Sequence, residues 1–292
     1  MTWISRISSA IPILLLTIVS VACILPLILV ISISFSDIDS IYKHGYTLFP
    51  KEFSWEAYSY ILSDTMVIMK AYAVSIFITI FGTLFSLAVL CLIAYPLSRR
   101  EFKFQRPVMF YVFFTMLFNG GLVPWYIVIS NYYHLKDTLW VLILPYAVIP
   151  WFLILLRTFF AAIPTEIIEA ARVEGCSEYR LLLQIILPIS KPALATVGLL
   201  AVLRYWNDWW LSLLFIENRD LYPLQLLMHK IMSNIQELAR SAGQLGIVEV
   251  VNFPSESARM AMAIIAAGPM LFIFLFFQKY FIKGLTVGAL KG

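Results

Sequence analysis

A cluster of polar residues that could do chemistry interrupts an apolar stretch of the chain. Arg204 and Asp208 are four residues apart, which places them on one face of a continuous helix, with Asn207 beside them. A guanidinium and a carboxylate at this spacing can form an internal ion pair that holds helices together. With the Asn207 amide, the same groups can instead hydrogen-bond to the hydroxyl groups of a sugar. The nearby aromatic rings, which can stack on a pyranose or form an interfacial belt, are Trp206, Trp209 and Trp210.

No set of residues in the sequence indicates bond-breaking chemistry. The histidines, His44, His134 and His229, are far apart, and no nucleophile is paired with a base. The three cysteines show neither a CxxC motif nor a pairing pattern. A GxxxxGKS/T phosphate-binding loop is missing, which argues against nucleotide hydrolysis by this chain. We therefore expect no catalytic residue, no metal site and no cofactor bound by the chain itself.

The elements that must position the polar cluster are membrane spans. Hydrophobic residues make up 61% of the chain and charged residues 13%, against about 45–50% and 25% in soluble domains. About 20 apolar residues cross the hydrocarbon core. The sequence predicts an all-α integral membrane protein with six transmembrane helices, at residues 11–33, 71–95, 107–129, 139–160, 192–216 and 260–282. The first apolar run is longer than that of a signal peptide, so we expect a retained anchor.

Basic residues predict how these spans are oriented. The short connection after span two contains Arg99, Arg100, Lys103 and Arg106, whereas the connection after span three contains only Lys136. Alternation then places both termini and the loop of residues 161–191 in the cytoplasm. The loop of residues 217–259 lies outside, where most acidic residues also fall.

Span three contains a sequence that interrupts a helix, with two glycines followed by Pro124. Irregular backbone at membrane depth is tolerated only where it faces protein or a cavity. Further kinks are predicted at Pro145, Pro150 and Gly268–Pro269. We predict a path through the membrane lined by Asn119, Gly120, Gly121, Arg204, Trp206, Asn207, Asp208 and Trp210.

The polar loop of residues 161–191 is expected to begin with a short helix. Pro164 suits the first turn, because its missing N–H needs no partner there. Glu166 and Glu169 lie near the positive end of the helix dipole. The apolar face of this helix comprises Ile167, Ile168 and Ala171.

A glycine is expected to separate this helix from a second one. Gly175 breaks the first helix, and Ser177 can cap another that runs towards Pro188. The small side chain of Ala170 would let a partner backbone approach closely. Periodicity alone leaves open whether this loop is an amphipathic connector on the membrane surface or a contact site for a soluble protein.

The loop also contains a motif of fixed spacing. Glu169-Ala170-Ala171 is followed after three residues by Gly175, after nine more by Ile185, and after one more by Leu187-Pro188. This pattern resembles the EAA signature of binding-protein-dependent ABC importer permeases. Residues 120–124, 206–208, 278–281 and 288–292 resemble the carbohydrate-uptake branch of these permeases. Within that branch, the resemblance is to the polysaccharide and oligosaccharide permeases, which are similar to the smaller maltose permease.

The resemblance implies a role for the loop and a set of partners. In that family the loop is a coupling helix seated in a groove of a cytoplasmic ATPase, and the C-terminal tail also reaches the ATPase dimer. The whole chain, 1–292, would be one permease domain in a bacterial plasma membrane. It would pair with a second homologous permease as a heterodimer, with two ATPase subunits that hold ATP and Mg, and with an extracytoplasmic binding protein that delivers an oligosaccharide. Carried over to this sequence, the coupling residues are Glu169, Ala170, Ala171, Gly175, Leu187 and Pro188.

An alternative from another class is an ion-coupled secondary transporter or channel that uses Arg204 and Asp208 as an intramembrane charge pair. Such a protein has no need of an EAA loop, and no internal inverted repeat is detectable. No basic run suggests binding to nucleic acid.

The outer loop of residues 217–259 is expected to contain one amphipathic helix. It packs on the protein or membrane, or it contacts the binding protein, as the resemblance implies. Its apolar stripe comprises Leu224, Leu227, Met228, Ile231, Ile235 and Leu238.

Overall fold

The chain folds into helices because a backbone in lipid must satisfy its own hydrogen bonds. The computed structural model describes residues 3–245 and 255–289, with side-chain surroundings over 12–237, 240–241 and 256–275. Within these ranges, the strand-like pairing is a single antiparallel bridge between Ser36 and Phe53. The helices are α1 (Trp3–Ser34), α2 (Ile38–His44), α3 (Glu56–Ile61), α4 (Thr65–Ser98), α5 (Gln105–Leu117), α6 (Leu122–Ile127), α7 (Leu139–Ile143), α8 (Pro150–Ala161), α9 (Thr165–Val173), α10 (Glu178–Leu181), α11 (Leu187–Ile189), α12 (Lys191–Trp206), α13 (Trp210–Phe215), α14 (Leu224–Leu245) and α15 (Ser255–Ala289).

Short turns of other helix types connect several of these helices. The 3₁₀ turns are Leu62–Asp64, Leu144–Tyr146 and Arg219–Leu221. Single π turns, Val128–Tyr132 and Leu182–Ile186, follow α6 and α10. Such turns let a helix change direction without losing backbone hydrogen bonds.

The described residues of Met1–Met66 and Met228–Gly268 form one compact unit. In this unit, aromatic rings pack together where the chain leaves α1. The ring of Phe35 stacks on Phe53 at 5.4 Å and on Tyr58 at 4.8 Å between centroids, and Trp55 meets it edge-on at 5.1 Å. The Tyr58 hydroxyl donates to Ser34 Oγ at 3.0 Å, which ties the cluster to the end of α1.

The described residues of Val67–Leu227 and Pro269–Gly292 form the second compact unit. Its core joins α4, α8 and α12 to the helices of the polar loop. Ile168 of α9 and Leu181 of α10 are buried in the same cluster as Leu90, Phe160 and Val197. The loop helices are therefore built into the core rather than lying loosely on the surface.

Three helical stretches are long and apolar enough to cross a membrane, by length and composition: Pro12–Ser34, Glu56–Ser98 and Glu256–Leu275. The described residues contain up to three more if each bent helix pair is one span. These pairs are Gln105–Leu117 with Leu122–Tyr132, bent by 116°, Leu139–Tyr146 with Pro150–Ala161, bent by 48°, and Glu178–Ile189 with Lys191–Trp206, bent by 82°. The first two bends lie where the sequence predicts an interruption and kinks.

The predicted fifth span is not one helix. α12 ends at Trp206, and α13 begins only at Trp210. The expectation that Arg204 and Asp208 share a face of one helix is therefore wrong, because Asp208 lies beyond the end of α12. Residues 207–209 contain neither glycine nor proline, so no local breaker marks this position.

The helix predicted in the outer loop is present as α14. Leu224, Met228 and Ile235 of the apolar stripe are buried, and Leu227 and Ile231 are half-buried. The side chain of Leu238, residues 246–254 and residues 290–292 lie outside the described part of the chain. The side chains of residues 276–289, in the C-terminal tail expected to reach the ATPase, also lie outside it.

Candidate functional site

The polar loop turns at a backbone motif at the end of α9. The N–H of Cys176 donates to the carbonyl of Ala171 at 3.0 Å, and the N–H of Gly175 donates to the carbonyl of Arg172 at 2.9 Å. Gly175 has φ +79°, a left-handed conformation that glycine adopts without the steric cost of a Cβ. This is a Schellman cap, which satisfies the last carbonyl groups of the helix. The predicted glycine break is confirmed, and we call α9, residues 174–177 and α10 the elbow.

The second arm of the elbow begins at the predicted serine cap. Ser177 Oγ accepts a hydrogen bond from the N–H of Arg180 at 3.4 Å, and α10 starts at Glu178. The helical path continues through the π turn into α11, which contains Pro188. Pro164 precedes α9 rather than lying in its first turn.

Only part of the predicted coupling set faces outward. Ala171 is buried with Ile168, and Leu187 packs against the same core, so these residues hold the elbow in place instead of offering a contact surface. Ile167, predicted on the apolar face, is exposed. The exposed members of the coupling set are Glu169, Ala170, Gly175 and Pro188.

Two exposed apolar side chains, one on each arm, were missed by the sequence reasoning. Val173 of α9 is 89% exposed and Tyr179 of α10 is 76% exposed. The sequence signal that could have found Val173 is that it lies off the apolar stripe of its helix. Exposed apolar side chains next to the small side chain of an alanine favour contact with another protein.

Ion pairs fasten the elbow to the end of α4. Arg172 Nη1 lies 2.8 Å from Glu101 Oε2, and Arg172 Nη2 lies 3.1 Å from Glu178 Oε1. The hydroxyl of Tyr95, near the end of α4, donates to Glu178 Oε2. Hydrogen bonding to Glu101 raises the pKa of the Arg172 guanidinium, so this group stays charged at any physiological pH.

A second candidate region begins at the break between α5 and α6. Gly121 has φ +90°, and Asn119 Oδ1 accepts a hydrogen bond from its N–H at 2.8 Å. Pro124 lies in the first turn of α6, where proline is tolerated. The glycine, rather than the proline, therefore makes the break.

Tyr146 lies between Arg204 and Asp208, the two groups whose spacing would allow an ion pair. Its hydroxyl donates to Asp208 Oδ1 at 2.6 Å, and the guanidinium carbon of Arg204 lies 4.2 Å from the centroid of its ring. In the part of the chain that the structure describes, no ion pair within 4 Å joins Arg204 to Asp208. Asp208 Oδ2 instead accepts from the N–H of Leu211 at 3.1 Å, at the start of α13. A hydrogen bond and a cation–π contact to Tyr146 therefore hold the two groups in place of a direct ion pair.

Two open clefts lie beside Tyr146, and both are lined by Arg204 and Trp210. The first has a volume of about 330 Å³, within the size range of small-molecule sites. The second has a volume of about 290 Å³. The first is also lined by Asn119, Gly121, Trp125 and Tyr146, and the second by Asn207, Asp208 and Trp209. Aromatic faces, hydrogen-bond donors and hydrogen-bond acceptors therefore converge here.

The structure brings together most of the predicted path residues. Asn119, Gly121, Arg204, Asn207, Asp208 and Trp210 line the clefts. Gly120 is not among the lining residues of either cleft, and Trp206 is buried with its ring 6.4 Å from that of Tyr72. Trp206 therefore packs inside the protein, and its place on the path stays a prediction. Tyr146 and Trp125 were missed, although Tyr146 lies between the two prolines that predicted a kink.

Comparison with known proteins gives matches over nearly the whole chain. A family model described as "Binding-protein-dependent transport system inner membrane component" matches residues 1–287. The polygalacturonan/rhamnogalacturonan transport system permease protein YtcP of Bacillus subtilis (strain 168) is 37% identical over 270 residues, 92% of this chain and 93% of that protein. The trehalose/maltose transport system permease protein MalG of Thermococcus litoralis is 31% identical over 277 residues, 94% of this chain and 93% of that protein.

A solved structure shares the fold. It is a crystal structure of a bacterial ABC transporter involved in the import of the acidic polysaccharide alginate. One of its chains aligns with a TM-score of 0.80 at 27% identity, covering 96% of this chain and 99% of that chain.

Proposed function

Because the chain belongs to the family of binding-protein-dependent transport system inner membrane components, we propose that it forms one half of a heterodimeric pore in an ATP-driven importer of oligosaccharides. It is a multi-pass permease subunit of the membrane and not an enzyme, and its family works with a partner permease, an ATPase and a binding protein. The relatives do not favour the ion-coupled alternative.

We propose six spans in one permease domain, the fifth formed by α12 and α13, with both termini and the elbow in the cytoplasm. The basic residues after α4 support this orientation, because they lie in the same connection as Glu101, the ion-pair partner of the elbow. The acidic outer loops lie on the other side. The binding protein would approach from there.

We propose that the elbow docks on an ATPase, with two such subunits in the complex holding ATP and Mg. The observation that carries this step is the exposure of Val173 and Tyr179 on an otherwise polar loop. Aromatic and aliphatic anchors surrounded by polar groups are the usual centre of a protein interface. Glu169 and Ala170 would complete the contact, and movement of the ATPases would switch the clefts between the two sides of the membrane.

Co-purification tests the docking surface. The chain is expressed with its neighbouring genes and isolated in detergent, and the ATPase bound per permease is measured. Val173→Ser and Tyr179→Ala should each reduce it by at least tenfold. Phe104→Ala is the matched control, because Phe104 is 64% exposed in the connection after α4 and makes no part of the elbow. Unchanged ATPase binding in both elbow variants would place the docking surface elsewhere.

We infer that the cargo is an oligosaccharide that carries carboxylates. Arg204 lines both clefts, and its guanidinium lies over the Tyr146 ring, an arrangement that suits planar recognition of a carboxylate at its edge. Trp210 offers an exposed ring for stacking on a sugar. Two proteins similar to this chain are named for polygalacturonan and for the acidic polysaccharide alginate, which supports the same class.

Uptake of two probes, each measured separately, tests which class of cargo is carried. Proteoliposomes with the complete importer take up labelled oligogalacturonate or labelled neutral arabino-oligosaccharide. Arg204→Gln should lower uptake of the acidic probe by at least tenfold and that of the neutral probe by less than threefold. Arg219→Gln, which removes the same charge from an exposed turn outside the clefts, is the control. Equal losses for both probes would contradict carboxylate recognition by Arg204.

A further inference from the structure

Four polar side chains from separate segments meet beneath the elbow. Arg172 lies in the last turn of α9, Glu178 begins α10, Tyr95 lies near the end of α4, and Glu101 follows α4. Arg172 contacts both carboxylates, and Glu178 uses one oxygen for Arg172 and the other for the Tyr95 hydroxyl. We call these four side chains the clamp.

The clamp differs from an ordinary surface ion pair. A single exposed pair contributes little, because solvent screens it and side-chain entropy opposes it. Here the guanidinium bonds both oxygens of Glu101, at 2.8 and 3.1 Å, and the far end of the network is the buried ring of Tyr95. Multiple charge-assisted bonds anchored in a core hold one geometry.

The clamp also spans the point where the elbow turns. Among the described residues, no heavy atom lies within 4 Å of a Cβ built on Gly175, so packing at the glycine does not set the angle. The Arg172–Glu178 pair bridges the glycine and joins one arm to the other. The contacts to Glu101 and Tyr95 then attach both arms to α4.

From the clamp, α4 leads directly to the clefts. Ser86 Oγ, on the same helix as Tyr95, donates to the carbonyl of Ala147 at 2.9 Å. Ala147 adjoins Tyr146, the residue that contacts both Arg204 and Asp208. A displacement of the end of α4 would therefore move the backbone at residues 146 and 147, which lies beside the clefts.

We propose that Glu178 and Tyr95 are positioning residues for transport: the clamp makes the elbow and α4 move as one body, so that ATPase movement reaches the clefts through α4. This inference rests on the proposed docking of the elbow on an ATPase. A path of contacts shows that two sites are coupled only when the coupling along it is measured.

The test uses the complete importer in proteoliposomes with oligogalacturonate as the probe. Glu178→Gln removes the charge and Tyr95→Phe removes only the hydroxyl. Both variants should bind the ATPase as the wild type does and hydrolyse ATP within twofold of it. Uptake per ATP hydrolysed should fall at least fivefold, and the double variant should be no worse than Glu178→Gln alone. Lys103→Gln, which removes one charge from an exposed residue outside both the elbow and the clamp, should leave the ratio unchanged.

Hydrogen exchange of the same complexes provides a second measurement. Loss of the clamp should accelerate amide exchange in α9 and α10 by at least tenfold in Glu178→Gln, but not in Lys103→Gln. Unchanged uptake per ATP in both clamp variants would overturn the proposal. So would a loss of ATPase binding in proportion to uptake, because Glu178 would then only shape the docking surface. A wild-type chain that binds no ATPase would instead refute the proposed function.

Discussion

Tyr146 donates a 2.6 Å hydrogen bond to Asp208, a residue 62 positions later in the chain. This bond connects the bent helix pair α7–α8 to the segment between α12 and α13. Asp208 in turn accepts from the N–H of Leu211, so the same carboxylate holds the first turn of α13. The geometry of the clefts therefore depends on a tyrosine hydroxyl that no local sequence signal assigns to them.

Removal of that hydroxyl should loosen the cleft without deleting the ring. Tyr146→Phe keeps the face that lies under Arg204 but leaves Asp208 one hydrogen bond short. We expect a loss of about 1–3 kcal/mol in unfolding free energy, as for other buried hydrogen bonds to carboxylates. The loss in uptake, expressed as a free energy, should be larger. Thermal unfolding in detergent measures it against Tyr111→Phe, which removes a hydroxyl from an exposed tyrosine of α5. Equal stability of the two variants would show that the bond does not stabilise the fold.

Gly82 should not tolerate a methyl group. A Cβ built there would lie 2.7 Å from Cε1 of Tyr205, so α4 and α12 would have to separate. Overpacking of this kind costs about 1–3 kcal/mol, and we expect Gly82→Ala to lower the unfolding temperature. Gly268→Ala is the control within another helix, because no described heavy atom lies within 4 Å of its Cβ position. It should be neutral or slightly stabilising, and a matching loss in both variants would contradict the close approach.

Substitutions at Gly175 should follow the cost of a left-handed backbone. The Cβ meets open space, so Gly175→Ala should lose only the conformational term of about 1–2 kcal/mol. Gly175→Asn should lose less, since asparagine adopts this conformation more readily. Gly175→Pro should lose most, because it also removes the N–H that bonds to Arg172. ATPase co-purification and unfolding temperature should rank the variants as Gly, Asn, Ala, Pro, and any other order would argue against a backbone effect.

Asp137 should be replaceable by asparagine but not by alanine. It has φ +59°, and its Oδ1 accepts hydrogen bonds from the N–H groups of Glu217 at 3.1 Å and Asn218 at 2.9 Å. Asparagine keeps an acceptor and tolerates this conformation, whereas alanine loses both bonds, at a cost of about 1–3 kcal/mol. Thermal unfolding of Asp137→Asn and Asp137→Ala measures the difference, and equal unfolding temperatures would show that the two bonds contribute nothing.

The elbow could be predicted from the sequence because its signals are local. A glycine at the end of an amphipathic turn and a serine two residues later specify a Schellman cap and a helix start within a few residues. The interruption of span three was predictable for the same reason, since Gly121 supplies a conformation that few other residues adopt.

The end of α12 could not be predicted, because contacts distant in sequence determine it. The break after Trp206 is stabilised by the bond from Tyr146 to Asp208, and the burial of Trp206 depends on α4, which supplies Tyr72. Hydropathy and helical periodicity respond only to neighbours within a few turns. The same limit hid the clamp, whose members at positions 95, 101, 172 and 178 come together only in the folded chain.

The Schellman cap of the elbow has a consequence for how importers acquire their ATPases. Its bonds join backbone atoms only, so the bend is maintained whatever side chains stand at the exposed positions 170, 173 and 179. In the proposed docking of the elbow, shape and partner preference are thereby encoded by different residues. The proposed docking surface can therefore change by substitution at these positions while the bend that presents it stays the same.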